Sequence, residues 1–162
     1  MNAHAKNAAK PALVLDIDET SLRNLEQLEA SQFGYFPTAG CGGAPKHRPA
    51  KLPSPCGAEA WDAFESTPAI KPTLVLFKRA QALHVTVIFI TGRHEHERAA
   101  TEANLKAADY EGYAKIYMEP DNYTGTAAAD KTKTRQQVQG RGRLSHHIKC
   151  WRSAQRPFRK LL

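Results

Sequence analysis

The chain has little of what defines a membrane or an exported protein. No apolar run among its 162 residues approaches the ~20 residues that cross a bilayer, so no membrane partner is expected. The first ten residues lack the apolar centre of a signal peptide, and as written the chain is expected in the cytoplasm. With 41% hydrophobic and 24% charged residues, the composition is typical of a globular protein of one domain.

Cysteine is scarce, with Cys41, Cys56 and Cys150 only. Their spacing excludes a zinc site built from close cysteine pairs. Cys41 and Cys56 flank a segment rich in glycine and proline, and they could form a disulfide in an oxidising compartment. The simpler expectation, preferred here, is two unpaired thiols.

Acidic residues are missing from the last 24 positions. The formal net charge is +7, but residues 1–138 hold equal numbers of basic and acidic side chains, whereas residues 139–162 hold seven basic ones and no acid. The sequence therefore predicts a neutral domain over residues 1–138 and a basic tail over residues 139–162.

The order of predicted elements indicates an α/β fold. Short apolar runs at residues 12–15, 85–90 and 114–118 are typical of buried strands. Helical patterns separate them, at 24–31, 58–65, 94–108, 129–138 and from Pro72 onwards, and this alternation predicts a parallel sheet. The helix that begins near Pro72 is expected to bury Leu74, Leu76, Phe77 and Ala80. Residues 34–57 are too long and too rich in glycine and proline for a simple connection.

Polar residues follow the predicted strands at the points where ligands bind in open α/β sheets. The stretch P-A-L-V-L-D-I-D-E-T puts Asp16 and Asp18 after the first strand, and F-I-T-G-R puts Thr91 and Gly92 at the end of the second. Lys131 follows the third strand. Two carboxylates after an apolar strand are costly unless a cation or a proton compensates them, so a chemical role is expected.

These five residues together indicate phosphoryl transfer. Asp16 offers a nucleophile or a ligand for Mg²⁺, which prefers hard oxygen atoms, and Asp18 could protonate a leaving group. The Thr91 hydroxyl and the Gly92 amide could bind phosphate oxygens, and Lys131 could neutralise the transferring phosphoryl group. Taken singly, each has a plainer explanation: a capped turn after a strand, an ordinary turn, or a solvated lysine.

Two further groups remain open in the same way. His94 and His96, with the glutamates beside them, could bind a metal, although the polar first turn of a helix is the preferred interpretation. Tyr35, Phe36 and Trp61 could stack on an aromatic substrate or pack within their own loop.

The words D-I-D-E-T, F-I-T-G-R and K-T-K-T-R, in this order, resemble the haloacid dehalogenase (HAD)-like acid phosphatases, in the group that includes plant vegetative storage proteins and bacterial class C enzymes. A-W-D-A-F and A-T-E-A-N-L are also similar to that group, and the resemblance covers about residues 10–138. It implies a Rossmann-like three-layer sandwich with a parallel central sheet, and a small cap insertion at about residues 24–68.

The resemblance also implies roles. Asp16 would be the nucleophile and a Mg²⁺ ligand, and Asp18 the general acid/base that lends its carbonyl to the metal. Thr91, Gly92 and Lys131 would bind phosphate, and Arg135 matches the pattern around that lysine. The implied activity is Mg²⁺-dependent hydrolysis of small phosphate monoesters, in relatives that are periplasmic or secreted; the oligomeric state is left open.

One family element, G-D-x-x-x-D after a fourth strand, is absent. Read one base later, codons for residues 144–162 can encode a strand followed by that element, so we hypothesise a shift of reading frame near residues 139–143. A truncated and frameshifted chain is expected to have weak or no activity. The alternative function is a non-catalytic remnant, or a nucleic-acid-binding protein that uses the basic tail; nucleic acid is not the expected partner.

Overall fold

The computed structural model describes residues 10–141 and 144–145. A parallel sheet is formed by four strands: β1 (Lys10–Leu15), β2 (Thr86–His94), β3 (Lys115–Glu119) and β4 (Leu144–Ser145). Their order is β3-β2-β1-β4, and Leu15 is aligned with Phe89, which is aligned with Ile116. The predicted α/β fold with a parallel sheet is confirmed, and the carboxyl ends of β1, β2 and β3 meet at one edge.

Helices connect the strands. They are α1 (Leu25–Ala30), α2 (Ala58–Asp62), α3 (Lys71–Ala82), α4 (Arg98–Ala107) and α5 (Ala127–Arg141). The helix predicted over 94–108 begins later than expected, because β2 continues to His94 and a 3₁₀ turn at Glu95–Glu97 precedes α4. Within residues 10–141 and 144–145, no helix is long and apolar enough to span a membrane.

The main core ties the sheet to the loop that follows β1. Phe77 of α3 and Phe89 of β2 both pack against Tyr110, with ring centroids 5.1 and 5.9 Å from it. The buried Tyr110 hydroxyl donates a hydrogen bond to the Ser21 carbonyl at 3.1 Å. Burial raises the pKa of Tyr110 to about 12, so the phenol keeps the proton it donates. Ser21 in turn donates its hydroxyl to the Asp16 carbonyl at 2.7 Å, which fixes the end of β1.

The buried face predicted for α3 is correct only in part. Phe77 and Ala80 are buried and Leu74 is partly buried, whereas Leu76 is 47% exposed. Leu76 precedes Phe77 by one residue, and a helix turns by about 100° per residue, so it faces solvent when Phe77 faces the sheet.

The glycine- and proline-rich segment forms a small core of its own. Cys41, Cys56, Trp61 and Phe64 are buried together, and Cys41 and Cys56 form a disulfide. The expectation of two unpaired thiols is therefore wrong. The Gly57 amide donates to the Ala39 carbonyl at 2.8 Å and closes the segment, which leaves the Cα atoms of the two cysteines 4.3 Å apart. Disulfides are typical of oxidising compartments.

The double substitution Cys41→Ala/Cys56→Ala is expected to lower the free energy of unfolding. The disulfide joins two residues with a sequence separation of 15. Removing a cross-link that closes a loop of that length lowers the free energy of unfolding by about 3 kcal/mol. Urea denaturation of the parent protein and the variant measures the difference. Reductant should lower the parent's midpoint and leave the variant's unchanged; equal midpoints without reductant would contradict the assignment.

The fourth strand is short. β4 pairs with Lys10 and Pro11 at the start of β1, and in the described part of the chain no strand lies beside residues 12–15 on that side. α5 runs to Arg141, three residues past the predicted domain boundary at 138. The rest of the basic tail, including Cys150 and Trp151, lies outside the described residues.

Candidate active site

Asp16 and Lys131 meet at the carboxyl edge of the sheet although 115 residues separate them. The Lys131 ammonium donates to Asp16 Oδ2 at 2.7 Å, and the Ile17 amide donates to Asp16 Oδ1 at 2.8 Å. The two side chains are 11% and 19% exposed, so the pair is shielded but not sealed from solvent. The short apolar strand β1 thus delivers a carboxylate that is oriented at both oxygens and paired with a cation.

Gly92 lies against the start of α5. A Cβ atom added at Gly92 would lie 3.1 Å from the Ala127 Cβ and 3.7 Å from the Lys131 Cε. A larger residue would therefore press on the helix that carries Lys131. The glycine of F-I-T-G-R allows the backbone of β2 to approach the lysine closely, and the structure brings Gly92, Lys131 and Asp16 together.

Thr91 is buried beside them. Since Leu15 is aligned with Phe89, Thr91 lies two residues further along β2, next to the point where β1 ends. Its Oγ1 accepts a hydrogen bond from the Arg93 amide at 3.2 Å. A threonine hydroxyl can accept and donate at once, so its proton remains available for a phosphate oxygen.

Asp18 has partners different from those of Asp16. Its Oδ1 accepts from Asn24 Nδ2 at 2.8 Å and from Arg93 Nη2 at 2.6 Å, and Arg93 Nε lies 3.1 Å from the same oxygen. The side chain is 37% exposed. Burial acts to raise the pKa of Asp18, but the charge and hydrogen bonds of Arg93 outweigh it and hold the pKa below the usual range. Asp18 is therefore an ionised carboxylate near neutral pH.

Arg93 is a further residue of the site, for which the sequence alone predicted no role. Its side chain is 2% exposed and lies between Asp18 and Asp62, whose Oδ1 is 2.9 Å from Arg93 Nη2. Burial acts to lower the pKa of Arg93, but the two carboxylates more than offset it and raise the pKa. The signal was present in the words F-I-T-G-R and A-W-D-A-F, but Asp62 and Arg93 lie 31 positions apart and no local pattern indicates their contact.

Asp62 is buried and experiences opposing charges. Burial raises its pKa well above the usual value, and the carboxylates of Asp18 and Glu97 add to this effect, while Arg93 opposes it. Asp62 sits at the end of α2, inside the predicted insertion. The site therefore includes a residue from that insertion as well as residues from the sheet.

The structure also places the histidines and aromatic residues whose roles were left open. His96 Nδ1 is 2.7 Å from the Asp121 carboxylate, which raises the pKa of His96, and the rings of His94 and His96 are stacked. Trp61 is buried in the small core around the disulfide, so it packs within the protein and does not stack on a substrate. Tyr35 and Phe36 are exposed.

The donors available to Mg²⁺ are few but of the right kind. Over residues 10–141 and 144–145, no three histidine, cysteine, aspartate or glutamate side chains form a cluster that could hold a metal ion. Asp16 offers carboxylate oxygens at the open edge, and the Asp18 carbonyl is a further hard oxygen. Mg²⁺ commonly binds through one or two protein oxygens together with water and a substrate phosphate, so the residues present fit such a site.

Structural comparison gives the same fold. The class C acid phosphatase from Bacillus anthracis superimposes with a TM-score of 0.53 and 25% identity, over 82% of this chain and 48% of that protein; its tungstate-bound form has the same TM-score and coverage at 23% identity. A chain of the Pnkp1/Rnl/Hen1 RNA repair complex matches with a TM-score of 0.55 and 19% identity, over 85% of this chain and 34% of its own length.

Sequence comparison identifies the family. The stem 28 kDa and stem 31 kDa glycoproteins of Glycine max are each 32% identical to this chain over 82 residues, which is 49% of this chain. The matched segment spans only 32% and 28% of these two relatives. The family model for the HAD superfamily, subfamily IIIB (acid phosphatase), matches residues 1–144. With most of its length matched, the chain belongs to subfamily IIIB of the HAD superfamily, the acid phosphatases.

Proposed function

We propose that the protein hydrolyses small phosphate monoesters through a phosphorylated Asp16. The observation that carries this proposal is the contact of Asp16 with Lys131, next to the close approach of Gly92 to α5. A nucleophile and a fixed positive charge are thereby combined within one small region, beside the backbone of Gly92.

In the first step, an Asp16 carboxylate oxygen forms a bond to phosphorus while the bond from phosphorus to the ester oxygen breaks. Asp18 gives its proton to the departing oxygen, which leaves as an alcohol. Because Arg93 lowers the pKa of Asp18, the protonated form that this step uses is populated in acid solution rather than near neutral pH. Lys131, the Thr91 hydroxyl and the Gly92 amide would bind the phosphoryl oxygens.

In the second step, water attacks the phosphorus of phosphorylated Asp16. Asp18, now ionised, removes a proton from that water; the bond from phosphorus to the Asp16 oxygen breaks and inorganic phosphate is formed. Asp16 returns to the carboxylate that pairs with Lys131. When bound, Mg²⁺ would neutralise negative charge on the phosphate group, and Asp16 and the Asp18 carbonyl would hold it.

A non-catalytic remnant is the second candidate. Two observations favour it: β4 pairs with only two residues of β1, and no cluster of three metal-binding side chains exists in the part of the chain that the structure describes. Neither observation concerns the Asp16 and Lys131 pair, which is present, so weak activity rather than none is the expected result.

The experiment is hydrolysis of p-nitrophenyl phosphate by the purified chain, with Mg²⁺ and with EDTA. We expect slow release of p-nitrophenol that rises as Mg²⁺ is added and stops with EDTA. The variant Glu65→Gln, which removes the partly exposed Lys46–Glu65 ion pair, is the control and should match the parent. Release no faster than in buffer would favour the non-catalytic remnant.

A further inference from the structure

Asn24 and Arg93 both donate hydrogen bonds to Asp18, and each of them contacts one of two adjacent residues of α2. Trp61 Nε1 donates to Asn24 Oδ1 at 3.0 Å, and Asn24 Nδ2 donates to Asp18 at 2.8 Å. Asp62 Oδ1 lies 2.9 Å from Arg93 Nη2, which donates to Asp18 at 2.6 Å. Asp18 therefore has two separate lines of contact, and both lead to α2.

The hydrogen bond from Trp61 sets the orientation of the Asn24 side-chain amide. An indole N–H can only donate, so it selects the amide oxygen of Asn24 and turns the amide NH₂ group toward Asp18. An ionised carboxylate can only accept, so the NH₂ group is the partner it requires. Asn24 is buried, and its contact with Trp61 is buried as well, so water does not readily replace the indole as the partner of the amide oxygen.

The line through Asp62 sets where the Arg93 guanidinium lies. Arg93 has a rigid, planar group with five donor hydrogens, and carboxylates on two sides fix that plane. Its Nη1 also lies 3.4 Å from the Thr101 hydroxyl of α4. The planar group presents Nε and Nη2 together to Asp18, which fixes the rotation of the Asp18 carboxylate.

α2 is itself anchored on both sides. Trp61 is buried in the small core that contains the disulfide. The Asp62 carbonyl accepts from Asn104 Nδ2 of α4 at 2.8 Å, and Asn104 Oδ1 accepts from the Thr67 amide at 3.1 Å. The anchors make α2 a rigid support, so the position of Asp18 depends on the insertion at residues 24–68.

We infer that Trp61 and Asp62 are positioning residues: through Asn24 and Arg93 they fix the rotamer of Asp18 for proton transfer to the leaving group. This inference rests on the proposed function. It means that the insertion contributes to the chemical step.

Leaving-group dependence tests the inference. The departure of p-nitrophenolate needs little protonation, whereas the alkoxide of glycerol 2-phosphate must be protonated. The ratio kcat/KM reports the steps up to departure of the alcohol. For Trp61→Phe and Asp62→Leu we expect kcat/KM for glycerol 2-phosphate to fall at least about tenfold further than for p-nitrophenyl phosphate.

A conservative variant provides the matched control. Asp62→Asn keeps an oxygen that can accept from Arg93, so it should retain the parent's ratio between the two esters, unlike Asp62→Leu. An equal loss on both esters in Trp61→Phe and Asp62→Leu would show a merely structural role and overturn the inference.

An inactive parent protein would defeat the proposed function without deciding the role of α2. Crystal structures of the parent and of Trp61→Phe then decide it. We expect the variant to lose the contact from Asn24 Nδ2 to Asp18 and to show a changed Asp18 rotamer. An Asp18 carboxylate in its original place would overturn the inference whatever the activity.

Discussion

Asp16→Asn is expected to abolish hydrolysis of p-nitrophenyl phosphate, with a loss on the order of 10³-fold or more, as found when an enzyme loses its nucleophile. Asparagine has nearly the shape of aspartate, and its side-chain oxygen can accept from Lys131 or from the Ile17 amide. It lacks the negative charge needed to attack phosphorus. The fold should persist, so the urea midpoint should change little while activity disappears.

The phosphorylated intermediate gives a more direct measurement. The parent protein is quenched with acid during turnover of an ester that is radiolabelled at phosphorus. The label should remain on the parent chain, and the Asp16→Asn variant should carry none. Asp121→Asn is the matched control: it removes an exposed carboxylate that pairs with His96 and does not contact Asp16. Turnover by Asp16→Asn comparable to that of Asp121→Asn would exclude Asp16 as the nucleophile.

The local pattern of the sequence was sufficient for the residues at the strand ends. An apolar run that ends in two acids locates the carboxyl end of β1, and a second run followed by T-G-R locates the last residues of β2, which continues to His94. The parallel sheet then requires these ends to lie together. For this reason the closeness of Asp16 and Gly92 could be predicted from the strands, whereas the expected position of Lys131, in α5, depended on the family resemblance.

The contacts of the insertion could not be predicted in this way. Residues 34–57 have no hydrophobic period, so nothing local decides whether Cys41 and Cys56 pair, and nothing indicates that Trp61 reaches Asn24. Such contacts depend on how an irregular segment closes on itself, here with the Gly57 amide bound to the Ala39 carbonyl. The wrong prediction that Leu76 is buried has a different cause. An apolar residue near the edge of a helical face is assigned to the core by composition alone, but Leu76 is exposed.

The structure also shows how the chain accommodates two carboxylates two residues apart. Asp16 is paired with Lys131 from α5, whereas Asp18 is paired with Arg93 from β2. Each carboxylate thus has its own cation, and their mutual repulsion is compensated by the protein itself. The different partners also separate their environments, which suits one carboxylate to attack and the other to move a proton.

Arg93→Leu is expected to lower the free energy of unfolding by about 3 to 5 kcal/mol, which is typical when one partner of a buried ion pair is removed. The substitution leaves the 10%-exposed Asp62 side chain and the partly exposed Asp18 without their shared cation. Since folded proteins are stable by roughly 5 to 15 kcal/mol, such a loss would bring the variant close to unfolding at low urea concentrations. Urea denaturation of parent and variant at neutral pH is the measurement.

The cause of that loss can be separated from a general packing defect. Asp62 has a pKa raised by burial and by neighbouring carboxylates, so it binds its proton more tightly folded than unfolded. Its contribution to stability is therefore present at pH values below its unfolded pKa and declines as pH rises through the folded pKa. With Arg93 removed, we expect the loss in free energy of unfolding to be largest near neutral pH and to shrink in acid.

The double variant Arg93→Leu/Asp62→Leu also removes the unpaired buried carboxylate. It should recover part of the lost stability at neutral pH. A loss of stability that does not depend on pH and is as large in the double variant would assign the loss to packing instead.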